Sequence, residues 1–174
     1  CEAIMNKTFY KSLISIICLL AFLNIVTLVL PVFSYAKVGL TTTSTTHMYG
    51  YELLGKLFTS QIKDVAMITF VISYIVLIIA SFYLVLKGLS VIASNHFDSK
   101  TLSVYAVFTF ILSLVFSVFV FVLVKQPNLT ELLNETNDIT YKAGFSSYLS
   151  LMASLISMII AISIRKIAKK NKTN

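Results

Sequence analysis

The sequence predicts an all-α integral membrane protein, a four-transmembrane-helix bundle, whose two outer loops either pair into a small extracellular β-sheet or lie as mobile loops at the membrane surface. Three observations carry that prediction. Of 174 residues, 57% are hydrophobic and only 12% charged, against about a quarter charged in a soluble domain. The apolar residues gather into four long runs nearly free of charge, the pattern of membrane helices. The two longer connections are polar and rich in β-branched residues, the composition of strands.

The first predicted span is Ser12–Phe33 (SLISIICLLAFLNIVTLVLPVF), the second Val65–Leu86, the third Leu102–Val124 and the fourth Ser147–Ile164; none contains Asp, Glu, Lys, Arg or His. A helix rises about 1.5 Å per residue and a bilayer core is about 30 Å thick, so roughly 20 residues suffice. The fourth run is the shortest and draws on Phe145 and Ser146 at its start. A signal peptide is the competing reading of the first run, but its length, Pro31 and the lack of a clean A-x-A-like site oppose it. The whole chain, 1–174, reads as a single membrane domain.

Charge orients the spans. With both termini and the inner loop (87–101, KGLSVIASNHFDSKT) on one side, that side carries Lys7, Lys11, Lys87, Lys100, Arg165, Lys166, Lys169, Lys170 and Lys172 against Glu2 and Asp98. The outer loops, 34–64 and 125–145, hold Lys37, Lys56, Lys63, Lys125 and Lys142 against Glu52, Asp64, Glu131, Glu135 and Asp138. The whole net charge of +7 thus falls on one face. The positive-inside rule then expects both termini in the cytoplasm of a cell-membrane protein. A lipidated Cys1 would have to lie outside, which conflicts with that topology. The basic tail 165–174 sets topology first. Its Arg165, Lys166, Lys169 and Lys170 are also placed to meet anionic lipid headgroups. The tail is short and lacks interleaved aromatics, so no nucleic-acid partner is expected.

Helices in lipid associate where small residues let backbones approach. Ser147, Ser150, Ser154, Ser157 and Ala161 recur at heptad spacing in the fourth span. Thr109, Ser113 and Ser117 follow one face of the third, and Ala66, Thr69, Ser73 and Ala80 one face of the second. These stripes are expected to meet inside the bundle. Asn24 is the one strongly polar residue in mid-span and is expected to make an interhelical hydrogen bond. A carrier or channel would favour an intramembrane charge, and the four runs contain none.

Motifs for chemistry are sparse. His47 lies in the first outer loop and His96 in the inner loop, on opposite sides. Cys18 lies within a span, and neither outer loop has a cysteine to form a disulfide. HExxH, CxxC and P-loop patterns are absent. No enzyme, cofactor or metal site is expected. Asn128 and Asn134 begin Asn-x-Thr triplets in the second outer loop, but Lys/Asn/Ile-rich usage points to a low-GC bacterial source, where glycans are not expected.

The outer loops have structure of their own. In AKVGLTTTSTTHMYGYELLG (36–55), Lys37–Thr46 reads as a strand with a bulge at Gly39. Gly50 breaks it, and Tyr51–Ile62 reads as an amphipathic helix with Leu54, Leu57, Phe58 and Ile62 on its apolar side. In the second loop, Pro127–Asn134 reads as a short helix capped by Asn128 with Glu131 at the third position, and 138–142 as a strand. Pairing 37–46 with 138–142 would cap the bundle and leave an open edge able to accept a partner's strand. The candidate partner-binding residues are Lys37, Val38, Leu40, Thr42, Tyr49, Tyr51, Ile139 and Tyr141.

The span–loop–span plan resembles claudins and tetraspanins in topology alone. The chain has neither the Trp and loop cysteine pair of the first family nor the Cys-Cys-Gly of the second, so no function is carried over. The expected function is that of a non-enzymatic accessory or scaffold subunit, binding a membrane-protein partner, or a second copy of itself, through outer loops and helix faces. An immunity-type protein shielding its cell from a secreted toxin or bacteriocin is the alternative, and a small-solute carrier or pore a more distant one.

Overall fold

A computed structural model describes residues 2–38, 43–59, 65–94, 99–125 and 139–173, with side chains at 8–35, 45–59, 65–94, 99–125 and 142–169. Helix α1 runs Glu2–Val26 and ends in a 3-10 turn, Thr27–Val29. Strands β1 (Pro31–Val38) and β2 (Thr43–Tyr49) follow, then the short helix α2 (Gly50–Phe58). Long helices α3 (Val65–Ser94) and α4 (Ser99–Leu123) come next, then β3 (Ile139–Ala143) and α5 (Phe145–Thr173).

Four segments are long and apolar enough to cross a membrane: Thr8–Val29, Val65–Ser94, Ser99–Leu123 and Phe145–Lys169. Around the bundle, α1 packs on α3, α3 on α4, α4 on α5 and α5 on α1. Burial along α3 falls at Phe70, Tyr74, Leu77, Ser81, Leu84, Gly88 and Val91, and along α4 at Leu102, Ala106, Thr109, Ser113, Phe116, Val120 and Leu123. Both series step by fours and threes, the seam of helices packed at a shallow left-handed angle.

The radial distribution of polarity suits an apolar solvent. Asn24, Ser113, Ser147 and Ser150 are each 0% exposed, whereas Leu19, Ile79 and Val104 are each more than half exposed. In water such large apolar side chains gain by burial. In hydrocarbon that gain vanishes, and close backbone approach and interhelical hydrogen bonds decide what goes inside.

One end of the bundle is capped by an antiparallel sheet of strand order β2–β1–β3. Lys37 pairs with Ser44 on one side and Ile139 on the other, and Tyr35 with Thr46 and Tyr141. The register with β2 slips between Pro31 and Phe33. Such a bulge lets consecutive residues face one way, and Val32 and Phe33 are both fully buried. Phe33 and Met48 thereby enter the core beneath the sheet, joined by Leu53, Phe70, Tyr74 and Phe116. Phe70 and Tyr74 stack on Phe116 at centroid distances of 5.6 and 4.7 Å.

Several sequence expectations need correction. The first span ends before Pro31, and Pro31–Phe33 belongs to β1 rather than to a helix. The fold is mostly helical with one small sheet, and the sheet has three strands where two were expected. The expected single strand 37–46 is divided between β1 and β2, and the bulge lies near Val32, while Gly39 is outside the described residues. The inner loop expected at 87–101 is mostly helix, since α3 continues to Ser94 and α4 starts at Ser99. In the second span the buried face is turned from the expected stripe: Thr69 is exposed, Ala66 and Ser73 are half-buried, and only Ala80 is buried. The large side chains of Phe70 and Tyr74 take the interior because the sheet roofs a wide core there. On α2 the innermost apolar residue is Leu53, and Phe58 is 79% exposed. The helix expected at 127–134, and Leu40, Thr42, Ile62 and His96, lie outside the described residues.

Candidate functional site

Two features concentrate polar or aromatic groups: a hydroxyl seam inside the bundle and the surface of the sheet. The seam starts from Asn24 on α1. Its Nδ2 donates to Ser154 Oγ at 3.0 Å, and its Oδ1 accepts from Ser150 Oγ at 2.8 Å. Both serines lie on α5 one turn apart, so a single carboxamide grips two successive turns of the neighbouring helix. Thr27 Oγ1 donates to the carbonyl of Asn24 and lies 3.1 Å from the hydroxyl of Tyr74. Ser117 Oγ on α4 donates to the Ser147 carbonyl at 3.0 Å, and Ser147 Oγ to the Gly144 carbonyl at 2.9 Å. These two sets of bonds together touch all four long helices. Ser81, Ser146 and Ser157 hydroxyls are buried without a hydrogen-bond partner.

Of the small residues expected to pack, Ser147, Ser150, Ser154, Ser157, Ala161, Thr109, Ser113, Ser117 and Ala80 are buried. Sequence reading missed two glycines that matter more. A Cβ on Gly88 would strike Cys18 Sγ, so this glycine sets the α1–α3 approach. A Cβ on Gly144 would strike the carbonyl of Pro31, and the Gly144 N–H donates to the Val32 carbonyl at 2.8 Å. Their only signal in the sequence is the residue type itself.

The sheet surface begins at Ser34 and His47, cross-strand partners whose Oγ and Nδ1 are 2.9 Å apart. The His47 ring meets Tyr49 edge-on at 6.5 Å, and Tyr49 stacks on Tyr51 at 5.8 Å with planes 14° apart. Glu52 fixes this corner, since its Oε2 accepts the Tyr49 N–H at 3.0 Å, half of a capping box at the start of α2. The result is a row of three rings across the β2–α2 junction, with Tyr51 and His47 exposed. Gly50 permits that corner: a Cβ there would press on Tyr74 and come within 2.9 Å of Leu28 Cα.

Of the candidate partner-binding residues, Tyr49 and Tyr51 are brought together. Lys37 lies on the central strand, paired on both sides, and so does not form an edge; Val38 pairs with Thr43. Ile139 and Tyr141 lie on β3, the edge opposite β2. Among the described residues, β2 and β3 are therefore the outer strands of the sheet, about two strand widths apart.

At the other end of the bundle, Arg165, Lys166 and Lys169 are exposed on α5, and Lys170 continues that helix. Arg165 Nη1 reaches Ser103 Oγ on α4 at 3.5 Å. Among the described residues, no group of three His, Cys, Asp or Glu is placed to hold a metal. Compared with protein-family models, curated proteins and solved structures, the chain gives no match.

Proposed function

We propose that this chain is a non-enzymatic accessory or scaffold subunit of a cell-membrane complex, with both termini cytoplasmic and the sheet outside. Its partner is a membrane protein that adds an extended segment to the β2 edge and packs against the aromatic row. The carrying observation is an outer strand, β2, beside a row of rings in which Tyr49 stacks on Tyr51, His47 meets Tyr49 edge-on, and His47 and Tyr51 are exposed. Edge addition supplies affinity through main-chain hydrogen bonds. Rings already stacked lose little freedom on binding, and aromatic residues are enriched among binding hot spots. The lysine and arginine distribution supports the proposed orientation.

The test is affinity purification of the tagged chain from its native membranes in mild detergent, followed by mass spectrometry. A stoichiometric membrane protein should accompany the wild type and be lost from a Tyr49→Ala/Tyr51→Ala variant that keeps its helical circular dichroism. Recovery of the chain alone, or equal recovery of the partner with the variant, rejects the proposal.

A further inference from the structure

A second surface lies away from β2. Where α4 ends, a groove of about 850 Å³ opens between that helix and the β3–α5 junction. Val118, Phe121, Val122 and Tyr148 line its body, and Lys125 and Lys142 stand at its sheet end. Phe121 and Tyr148 meet edge-on at 5.4 Å and form a firm apolar wall. From Val118 to Lys125 the chain climbs about 10 Å at helical rise. The groove is therefore apolar along the span and cationic at its end.

We infer that this groove holds an anionic phospholipid of the leaflet at the sheet end, its phosphate between Lys125 and Lys142 and an acyl chain against Val118, Phe121, Val122 and Tyr148. Charge complementarity chooses the occupant. Both groove lysines are exposed, and among the described residues no carboxylate lines the groove. The first turn of α5 begins at Phe145 beside them, and a helix N-terminus adds partial positive charge. A free phosphate would use the lysines and leave the apolar wall uncovered. A transmembrane helix of a partner would cover the wall and leave two cations unmatched at its end. A lipid satisfies both halves at once. This site is independent of the partner proposed for β2.

The chain has no tryptophan, so a Tyr148→Trp variant gives a single reporter inside the groove. It is reconstituted in phosphatidylcholine containing a small fraction of either brominated phosphatidylglycerol or brominated phosphatidylcholine. Stronger quenching by the anionic lipid is expected. Adding Lys125→Gln and Lys142→Gln should lower that preference by about thirtyfold, at the usual strength of two lysines near a membrane surface. Lys87→Gln/Lys100→Gln, at the far end, should leave it unchanged, and circular dichroism should show every variant folded. Equal quenching by the two lipids overturns the inference, as does a preference that falls with the far-end variant. Inorganic phosphate abolishing the preference, where chloride of equal ionic strength does not, assigns the site to a free anion. A co-purified protein that shields the reporter from both lipids assigns it to a protein; either result rejects the lipid.

Discussion

Replacing Asn24 tests whether the bundle is held by its polar seam. Asn24→Leu keeps a side chain of similar length but removes both hydrogen bonds, at 3.0 and 2.8 Å, that join α1 to α5. An interhelical hydrogen bond in a membrane protein contributes about 0.6 kcal/mol on average and up to about 1.7. Two of them predict a loss of roughly 1–3 kcal/mol. The lower end is favoured, because Ser150 and Ser154 can turn their hydroxyls to carbonyls one turn back. A double-mutant cycle isolates the contact. Asn24→Leu and Ser150→Ala, singly and together, are unfolded in mixed micelles of mild detergent and dodecyl sulfate, with helical circular dichroism as the signal. The pair should show a coupling of about 0.5 kcal/mol or more, as residues sharing one hydrogen bond do. Zero coupling, or Asn24→Leu as stable as the wild type, would refute the seam as a source of stability. Solute flux through liposomes that fell with Asn24→Leu while stability held would instead favour a transport role for this residue.

Three further outcomes follow from the same geometry. Gly144→Ala drives a methyl group onto the Pro31 carbonyl and should destabilise the chain by about 1–3 kcal/mol, the usual range for overpacking; an unchanged midpoint in the same micelle titration counts against that close approach. Gly55→Ala meets open space in the middle of α2 and should stabilise that helix by about 0.4–1 kcal/mol, seen as slower amide exchange over Gly50–Phe58. Amides of β1 from Ser34 to Lys37, paired on both sides, should exchange slowly throughout, while alternate amides of the β2 edge exchange fast; uniformly fast exchange in β1 removes the sheet.

The long helices were legible because twenty uncharged apolar residues have few other uses. Their ends were not. Pro31–Val32–Phe33 is apolar as a buried strand and would be equally apolar as helix, and hydropathy alone does not separate the two. At the other boundary, Lys87 and Ser90 are polar enough to suggest a loop, yet α3 keeps its backbone hydrogen bonds past them to Ser94. The fourth span's serine stripe and Asn24 lie in the interior of the bundle, where small polar residues at heptad spacing let helices approach and share hydrogen bonds. The α3 face was misread for the same rule applied too widely. Beneath a sheet, Phe70 and Tyr74 fill space that serines would leave empty. The sheet was anticipated in its halves, but its third strand was not, since TTTSTTHMY carries no turn residue to mark where β2 begins. The aromatic row was half-visible as Tyr49 and Tyr51. Its ordering by Ser34 and Glu52 depends on cross-strand register and a helix start, which a linear reading does not fix.

The central strand has a consequence for the order of events during synthesis. β1 emerges after the first span, but its second neighbour, β3, is made only after two more spans have been translated. Until then one side of β1 has unmatched amides and carbonyls, and the Val32 carbonyl waits for the Gly144 N–H. The cap is thus completed by the same stretch of chain that starts the last helix. Completion of the sheet would coincide with docking of α5, making a finished cap a marker that the fourth helix is in place. A partner that reads the sheet would bind only fully assembled molecules, without needing any other signal of their maturity.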